Sequence, residues 1–168
     1  MTLFRKKHEM CVLAVSCLAI TILSSCGDLQ DETPDPEILD LFEVFFRYKF
    51  ENNASAQKQD AEAYFLEIEG EDPSPEFLAR FKGHSPPVKK GSEFVMGGSI
   101  VIEGEVPMEG NGLLFRIDNY KWIGLFGNCV KISGGYSEGD LSASWASYIW
   151  MRRKGKWELE FIGDRAIA

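Results

Sequence analysis

The sequence predicts an α+β domain in which two N-terminal helices pack on a curved antiparallel sheet of four or five strands. A Phe-rich segment beginning near residue 36 repeats apolar residues at helical spacing. Most segments after residue 99 alternate apolar and polar residues, as half-buried strands do. With 12 phenylalanines in 168 residues, the chain can fill one core between two packed layers.

The first predicted helix has a clear start. Asp35 can cap it, Pro36 suits the first helical position, and Glu37 suits the positive end of the helix dipole. Asn52 and Asn53 end or loosen it. Its apolar side is broad enough to need a sheet as its partner and is made of Ile38, Leu41, Phe42, Phe45, Phe46 and Lys49.

Two short elements follow. Residues 61–69 are predicted to be a strand or the end of a helical segment. Ser74, Pro75 and Gly83 mark the cap, the start and the stop of a second helix. Residues 83–92 contain paired prolines, which predict an extended loop.

The remainder of the chain is predicted to be β. Residues 99–106 form a candidate strand, and residues 110–112 form a tight turn before a strand with a bulge near Asn119. Residues 129–133 form a short strand that Gly134 and Gly135 close.

A long strand over residues 141–152 leads through a hairpin at residues 154–156 into a final strand. Tyr148 and Trp150 lie on one face of the long strand, opposite a second apolar set. If one sheet face packs on the helix, the other leaves an apolar patch, so Tyr148 and Trp150 are candidate binding residues. In the alternative, a loop near residues 85–93 covers that patch. The second apolar set is Trp145, Ile149 and Met151.

This order of elements resembles the cystatin-like and nuclear-transport-factor-2-like α+β folds, in which a curved sheet wraps a long helix. The resemblance concerns the fold and implies no function.

The N-terminus has the order of a secretory signal peptide. Arg5, Lys6 and Lys7 precede an apolar segment over residues 11–23. Plain secretion with cleavage after a small residue is one alternative. A retained membrane span is another, although the uninterrupted apolar run, about 16 residues when its serines and Thr21 are counted, is shorter than the roughly 20 that a span needs.

The end of this segment, Leu23-Ser24-Ser25-Cys26, resembles the lipobox of bacterial lipoproteins. The resemblance implies that Cys26 is lipidated with acyl chains such as palmitate and becomes the first mature residue. Residues 1–25 are then the signal peptide, residues 26–35 the lipidated N-terminus and acidic tether, and residues 36–168 a single α+β domain. Gly27 stands where an aspartate retains some lipoproteins at the inner membrane, so the resemblance favours the outer membrane.

The mature chain is strongly acidic. Removing residues 1–25 takes away three basic residues and one acidic residue, which leaves 15 basic and 25 acidic residues and a formal charge of −10. This balance argues against nucleic acid as a partner, because phosphate binding needs basic patches. It also argues against peripheral binding to anionic lipid through a basic surface.

Cysteine usage leaves Cys129 alone after cleavage and lipidation, so no intramolecular disulfide is expected. We expect Cys129 to be a buried, small apolar residue; the sharper alternative is a nucleophilic thiol.

From Tyr64 onward, the chain resembles a group of small exported bacterial domains of unknown function. The resemblance implies one domain and supplies no activity, substrate or catalytic residue. The stretches that carry it are residues 64–68, 72–84, 86–92, 134–136 and 141–144.

The candidate chemistry is sparse. His84 is the sole histidine after cleavage, and it could act as a general base or be an ordinary loop residue. Arg80, Lys82, Lys89 and Lys90 bracket the His84 loop as a basic cluster that could receive an anion, or they are solvated side chains. No metal-ligand spacing, catalytic set or cofactor motif is present in the sequence, so neither a metal nor a cofactor is expected.

Two functional hypotheses remain open. The first is a membrane-anchored envelope lipoprotein with a non-enzymatic binding or structural role, whose partner is an envelope protein or peptide. The second is a small-molecule binding or hydrolytic domain with a pocket between helix and sheet. The fold resemblance and His84 motivate the second.

Overall fold

The computed structural model of the chain describes residues 35–95, 99–100, 108–109, 112–124, 127–138 and 142–167. The predicted signal peptide, Cys26 and all but the last residue of the tether lie outside the described residues. So do most of the candidate strand over residues 99–106 and most of the turn at residues 110–112.

The domain contains two helices and nine strands within the described residues. Their bounds, in chain order, are α1 Pro36–Glu51, β1 Ala63–Ile68, α2 Pro75–Ala79, β2 Val88–Lys90, β3 Phe94–Val95, β4 Ser99–Ile100, β5 Met108–Glu109, β6 Gly112–Ile123, β7 Cys129–Ser137, β8 Ala143–Arg153 and β9 Lys156–Ile167. No helix in this described part is long and apolar enough to cross a membrane.

The main sheet has six strands in the order β2-β1-β6-β7-β8-β9. β1 runs parallel to both of its neighbours, and the other pairs are antiparallel. The α+β class is therefore confirmed, but the prediction of an antiparallel sheet of four or five strands is wrong: the sheet is mixed and larger. The physical reason is the crossover between β1 and β2, in which α2 returns the chain to the end of the sheet from which β1 started. A second, small sheet has the order β3-β4-β5.

α1 forms where its local signals predicted. The Asp35 carboxylate accepts a hydrogen bond from the Glu37 backbone N–H at 2.9 Å, and this caps the first turn. The six residues predicted for the apolar side are all buried, together with Phe50. Burying four Phe side chains on this helix contributes roughly 6–12 kcal/mol before conformational entropy is counted.

α2 is shorter than the predicted second helix and follows β1 in the chain. The Ser74 hydroxyl accepts from the Phe77 backbone N–H at 3.2 Å, as the cap predicts. The rings of Phe77 and Phe81 then pack edge-on against Phe46 of α1, with centroids 6.1 and 6.5 Å away. The element is thus a short helical turn held by one aromatic cluster.

The bulge predicted near Asn119 is confirmed, because the pairing of β6 with β7 shifts between Ile117 and Asn119. The predicted end of the next strand at Gly134 and Gly135 is wrong. β7 continues through both glycines, and a Cβ atom on Gly135 would lie 1.9 Å from the Ser144 carbonyl oxygen. The glycines therefore allow neighbouring backbones to approach each other and do not form a turn.

Candidate functional site

His84 lies beside the core. Its ring packs on Phe50 and Tyr64, with centroid separations of 4.9 and 5.7 Å. Its Nδ1 lies 2.7 Å from the Pro86 carbonyl oxygen, which can only accept a hydrogen bond. Nδ1 therefore carries the proton in the neutral ring, and Nε2 is the nitrogen that remains available as a base.

In the structure, the basic residues predicted to cluster around His84 lie apart from one another. Arg80 makes ion pairs to Asp40 at 2.7 Å and to Glu43 at 3.2 Å, so carboxylates of α1 neutralise it. Lys89 and Lys90 are consecutive on the edge strand β2, so their side chains leave opposite faces. Lys89 also lies 3.8 Å from Glu93. These cations do not converge on one point.

The structure corrects the expectation for Tyr148 and Trp150. They are only 4% and 2% exposed, because their face of β8 is the one that packs on α1. Tyr148 makes an edge-on contact with Phe45 at 5.2 Å, and Trp150 makes one with Tyr48 at 5.8 Å. Both side chains belong to the core, and the opposite face of the strand is the open one.

The open face carries the second apolar set of β8, which includes Ile149, and the exposed Phe161 of β9. Ile149 pairs with Phe161, which is 59% exposed, and with Lys131 of β7 on its other side. Two adjacent hollows of about 370 and 230 Å³ cross this face and share Ser147 and Asp164 in their linings.

Trp145 lines the smaller hollow, and Arg116 lies beside its ring. The guanidinium carbon of Arg116 lies 5.1 Å from the ring centroid of Trp145, across Gly135, which has no side chain to separate them. Arg116 Nε lies 4.0 Å from Asp118 and has no hydrogen-bond partner within the described residues.

Part of the open face is covered, although not by the predicted loop. Phe94 of β3 packs on Phe65 at 5.4 Å and closes a small cluster with Ala63 and Leu114. The cover lies over β1 and the start of β6, whereas the hollows lie over β7 to β9.

A buried lysine occupies the interior between α1 and the sheet. Lys49 is 3% exposed, and its Nζ donates a hydrogen bond to the Tyr148 hydroxyl at 2.9 Å. The ammonium lies 5.3 Å from the ring centroids of both Tyr136 and Tyr148. It makes no ion pair with a carboxylate in the described part of the chain.

The electrostatics of this lysine follow from its burial. Desolvation, assisted by the positive charge of Arg165, lowers the pKa of Lys49 to about 8. Burial raises the pKa of Tyr148 to about 12, because the phenolate would also have to be desolvated. A fraction of Lys49 is therefore a neutral amine near neutral pH, beside a hydroxyl that stays protonated.

Side-chain hydrogen bonds connect the residues around the end of α1 with those just before β8. Asn53 donates its side-chain amide to the Lys49 carbonyl oxygen at 3.0 Å. Glu138, after β7, accepts hydrogen bonds from the hydroxyls of Ser55 and Ser142. Sequence analysis placed Lys49 on the apolar side of the helix but attached no role to it; a lysine among phenylalanines was the available signal.

A second basic cluster, which sequence analysis did not single out, lies in the β8–β9 hairpin. Arg152 makes an ion pair with Glu37 of α1, and Arg153 makes ion pairs with Glu158 and Glu160. A groove of about 600 Å³ separates the hairpin from the first turn of α1. The basic residues are Arg152, Arg153, Lys154 and Lys156.

The described regions give little support for a metal site or a reactive thiol. They contain no group of three or more His, Cys, Asp or Glu side chains placed to hold a metal ion. Cys129 is a buried, unpaired cysteine, as predicted. Burial, followed by the charge of Glu160, raises the pKa of its thiol, so a nucleophilic thiolate is disfavoured.

Comparisons with known proteins give no relative for this chain: no family model, no curated protein and no solved structure matches it. The resemblance to small exported bacterial domains therefore stays a prediction.

Proposed function

We propose that this protein is a lipoprotein of the cell envelope, held on a membrane through acyl chains on Cys26, which binds an envelope protein or peptide without catalysing a reaction. The signal-peptide order and the Leu23-Ser24-Ser25-Cys26 ending support the anchor. Gly27 favours the outer membrane where two membranes exist. The binding role rests on the open face of the main sheet.

The observation that carries the binding role is the exposed ring of Phe161, which lines the larger of the two hollows. An exposed aromatic side chain with an aliphatic neighbour, Ile149, supplies the apolar centre of a contact surface. Lys131, Ser147 and Asp164 surround that centre with groups that can donate and accept hydrogen bonds. The arrangement suits a protein or peptide partner better than it suits a reaction.

The helix side of the sheet is less suited to ligand binding. Phe42, Phe45 and Phe46 are fully buried against it and fill the space between α1 and the strands. We also propose, as the finer description of the fold, the curved-sheet architecture of the cystatin-like and nuclear-transport-factor-2-like folds. The single long helix on one face and the bulges in β6 and β9 support it.

The test compares two exposed apolar residues of β9. Phe161→Ser should lose the partner that the native acylated protein retains after crosslinking in its own envelope, because the apolar centre of the surface is gone. Ile167→Ser should retain that partner, since Ile167 is 83% exposed but lies outside both hollows. Quantitative mass spectrometry of the crosslinked material measures the difference. Equal recovery with both variants would remove the open face from the proposal.

The alternative is a small-molecule binding or hydrolytic role for the interior between α1 and the sheet. The contact between Lys49 and Tyr148 favours it, because perturbed amines and hydroxyls in contact are typical of reactive sites. Lys49→Met removes the amine, so any turnover found for the wild type must disappear in this variant. Turnover that survives the substitution would exclude Lys49 from the chemistry.

A further inference from the structure

We propose that the tip of the β8–β9 hairpin contacts the anionic phospholipid headgroups of the membrane that carries the protein. This inference rests on the lipid anchor at Cys26 proposed above. The surface consists of Lys154, Lys156, Trp157 and Trp122, and it is called the hairpin surface below.

The first argument is position. Asp35 and Pro36, where the chain enters the domain, line the same groove as Gly155, Lys156 and Trp157 of the hairpin. The ion pair between Glu37 and Arg152 joins the two elements directly. Asp35 is nine residues after Cys26, and this stretch spans about 30 Å at most when fully extended. The hairpin therefore lies at the end of the domain that the anchor holds close to the bilayer.

The second argument is charge. Arg152 and Arg153 are neutralised by Glu37, Glu158 and Glu160. Lys154 and Lys156 are exposed at the tip, and within the described residues neither makes an ion pair. These two cations project from a mature chain of charge −10, most of whose surface an anionic bilayer repels. Attraction of the two lysines and repulsion of the acidic remainder of the chain therefore orient the domain with its hairpin towards the headgroups.

The third argument is the pair of indoles behind the tip. Trp122 is 37% exposed and packs on Trp157 with ring centroids 5.9 Å apart. Tryptophan is favoured at the level of the headgroups, because its ring is apolar and its N–H is polar. A partly exposed tryptophan pair beside two exposed lysines matches the chemistry of that layer.

The overall charge of the chain does not contradict this contact. An acidic protein cannot be recruited to anionic lipid from solution by two lysines alone. A chain that is already anchored meets the surface at a high effective concentration, so two lysines suffice to choose its orientation.

The test uses the acylated full-length protein in vesicles of phosphatidylcholine, alone or mixed with phosphatidylglycerol. Lipids with brominated acyl chains quench the fluorescence of nearby tryptophan. We expect quenching with phosphatidylglycerol that falls in high salt, because salt screens the lysine–phosphate attraction. We expect the double variant Lys154→Gln/Lys156→Gln to lower the ratio of docked to undocked protein by roughly thirtyfold. Trp122→Phe should remove most of the quenched signal.

The matched control is Lys89→Gln/Lys90→Gln, which removes two lysines from β2 at the opposite edge of the main sheet. It should leave the quenching unchanged. Equal quenching in the two double variants, or none in protein that floats with the vesicles, would overturn the hairpin contact and leave the anchor intact. Protein that fails to float with vesicles at all would overturn both.

Discussion

Lys49 is the residue whose environment departs furthest from what its side chain prefers. An ammonium buried without a carboxylate partner costs free energy, and two tyrosine rings and one hydroxyl offset only part of that cost. The groups that face it come from all three elements around it: Tyr136 from β7, Tyr148 from β8 and Arg165 from β9. Its protonation is therefore coupled to folding.

This coupling predicts how stability depends on pH. The pKa of Lys49 is about 8 in the folded chain and 10.5 ordinarily, so the unfolded chain binds more protons between these values. The free energy of unfolding should then rise with pH through that window, by about 3 kcal/mol at most. The raised pKa of Tyr148 acts in the opposite direction, and stability should fall again as the pH rises from 10 towards 12. Urea unfolding at a series of pH values measures both limbs.

Two lysine variants isolate the contribution of Lys49. Lys49→Met should flatten the rise between pH 8 and 10, because the group that titrates is gone. Lys121→Met removes an exposed lysine of β6 and should keep the rise. A wild-type protein whose stability stays constant across this window would contradict the assignment.

At the level of single residues, spacing identified the buried side of α1 but not the residues that its side chains contact. Lys49 was placed correctly on the apolar side, yet Tyr148, to which it donates, lies 99 positions away. The same long separation in sequence explains why Tyr148 and Trp150 were predicted to lie on the open face of the sheet. Alternation along β8 separates its two faces, but only packing against α1 decides which face is buried.

Among the elements, those with local signals were predicted best. The caps of α1 and α2 and the bulge in β6 each depend on residues close in the chain, and each formed where expected. The parallel pairing of β1 with β2 and β6 depends on a crossover, which leaves no periodic pattern in the sequence. This difference explains why the α+β class was predicted correctly and the arrangement of strands in the sheet was not.

Gly135 in β7 gives a prediction at this level. A methyl group there would meet the Ser144 carbonyl oxygen at 1.9 Å, and that backbone belongs to the neighbouring strand and cannot move away cheaply. Gly135→Ala should lower the free energy of unfolding by roughly 2–4 kcal/mol, measured by urea denaturation.

The matched glycine is Gly163 in β9. A Cβ atom there would meet the ring of Phe161 at 3.1 Å, and that ring is exposed enough to shift. Gly163→Ala should therefore change stability by less than about 1 kcal/mol. Similar losses in both variants would mean that the glycines of β7 are not required for close strand approach.

For the whole molecule, the proposed lipoprotein function gives the acidic domain and the lipidated N-terminus separate tasks. In that proposal, the negative charge keeps the domain in water and the acyl chains supply the attachment, at roughly 0.8 kcal/mol for each buried methylene. Cys26→Ser should therefore move the protein from the membrane fraction to the soluble fraction of disrupted cells, as an immunoblot of the two fractions would show. Cys129→Ser changes a buried cysteine of β7 and should stay with the membranes. Membrane retention of the Cys26 variant would refute the anchor.

The distance in sequence between α1 and its partner strands sets the order in which the chain can mature. α1 leaves the ribosome before any of the strands that cover it. Phe46 and Phe50 have early partners in α2 and β1. Phe45, in contrast, contacts Tyr148 of β8, which emerges about a hundred residues later. Meanwhile β6 to β9, which pair consecutively, have hairpin contacts to form among themselves. A nascent chain with so apolar a first helix is vulnerable to aggregation until the strands that cover the helix have emerged.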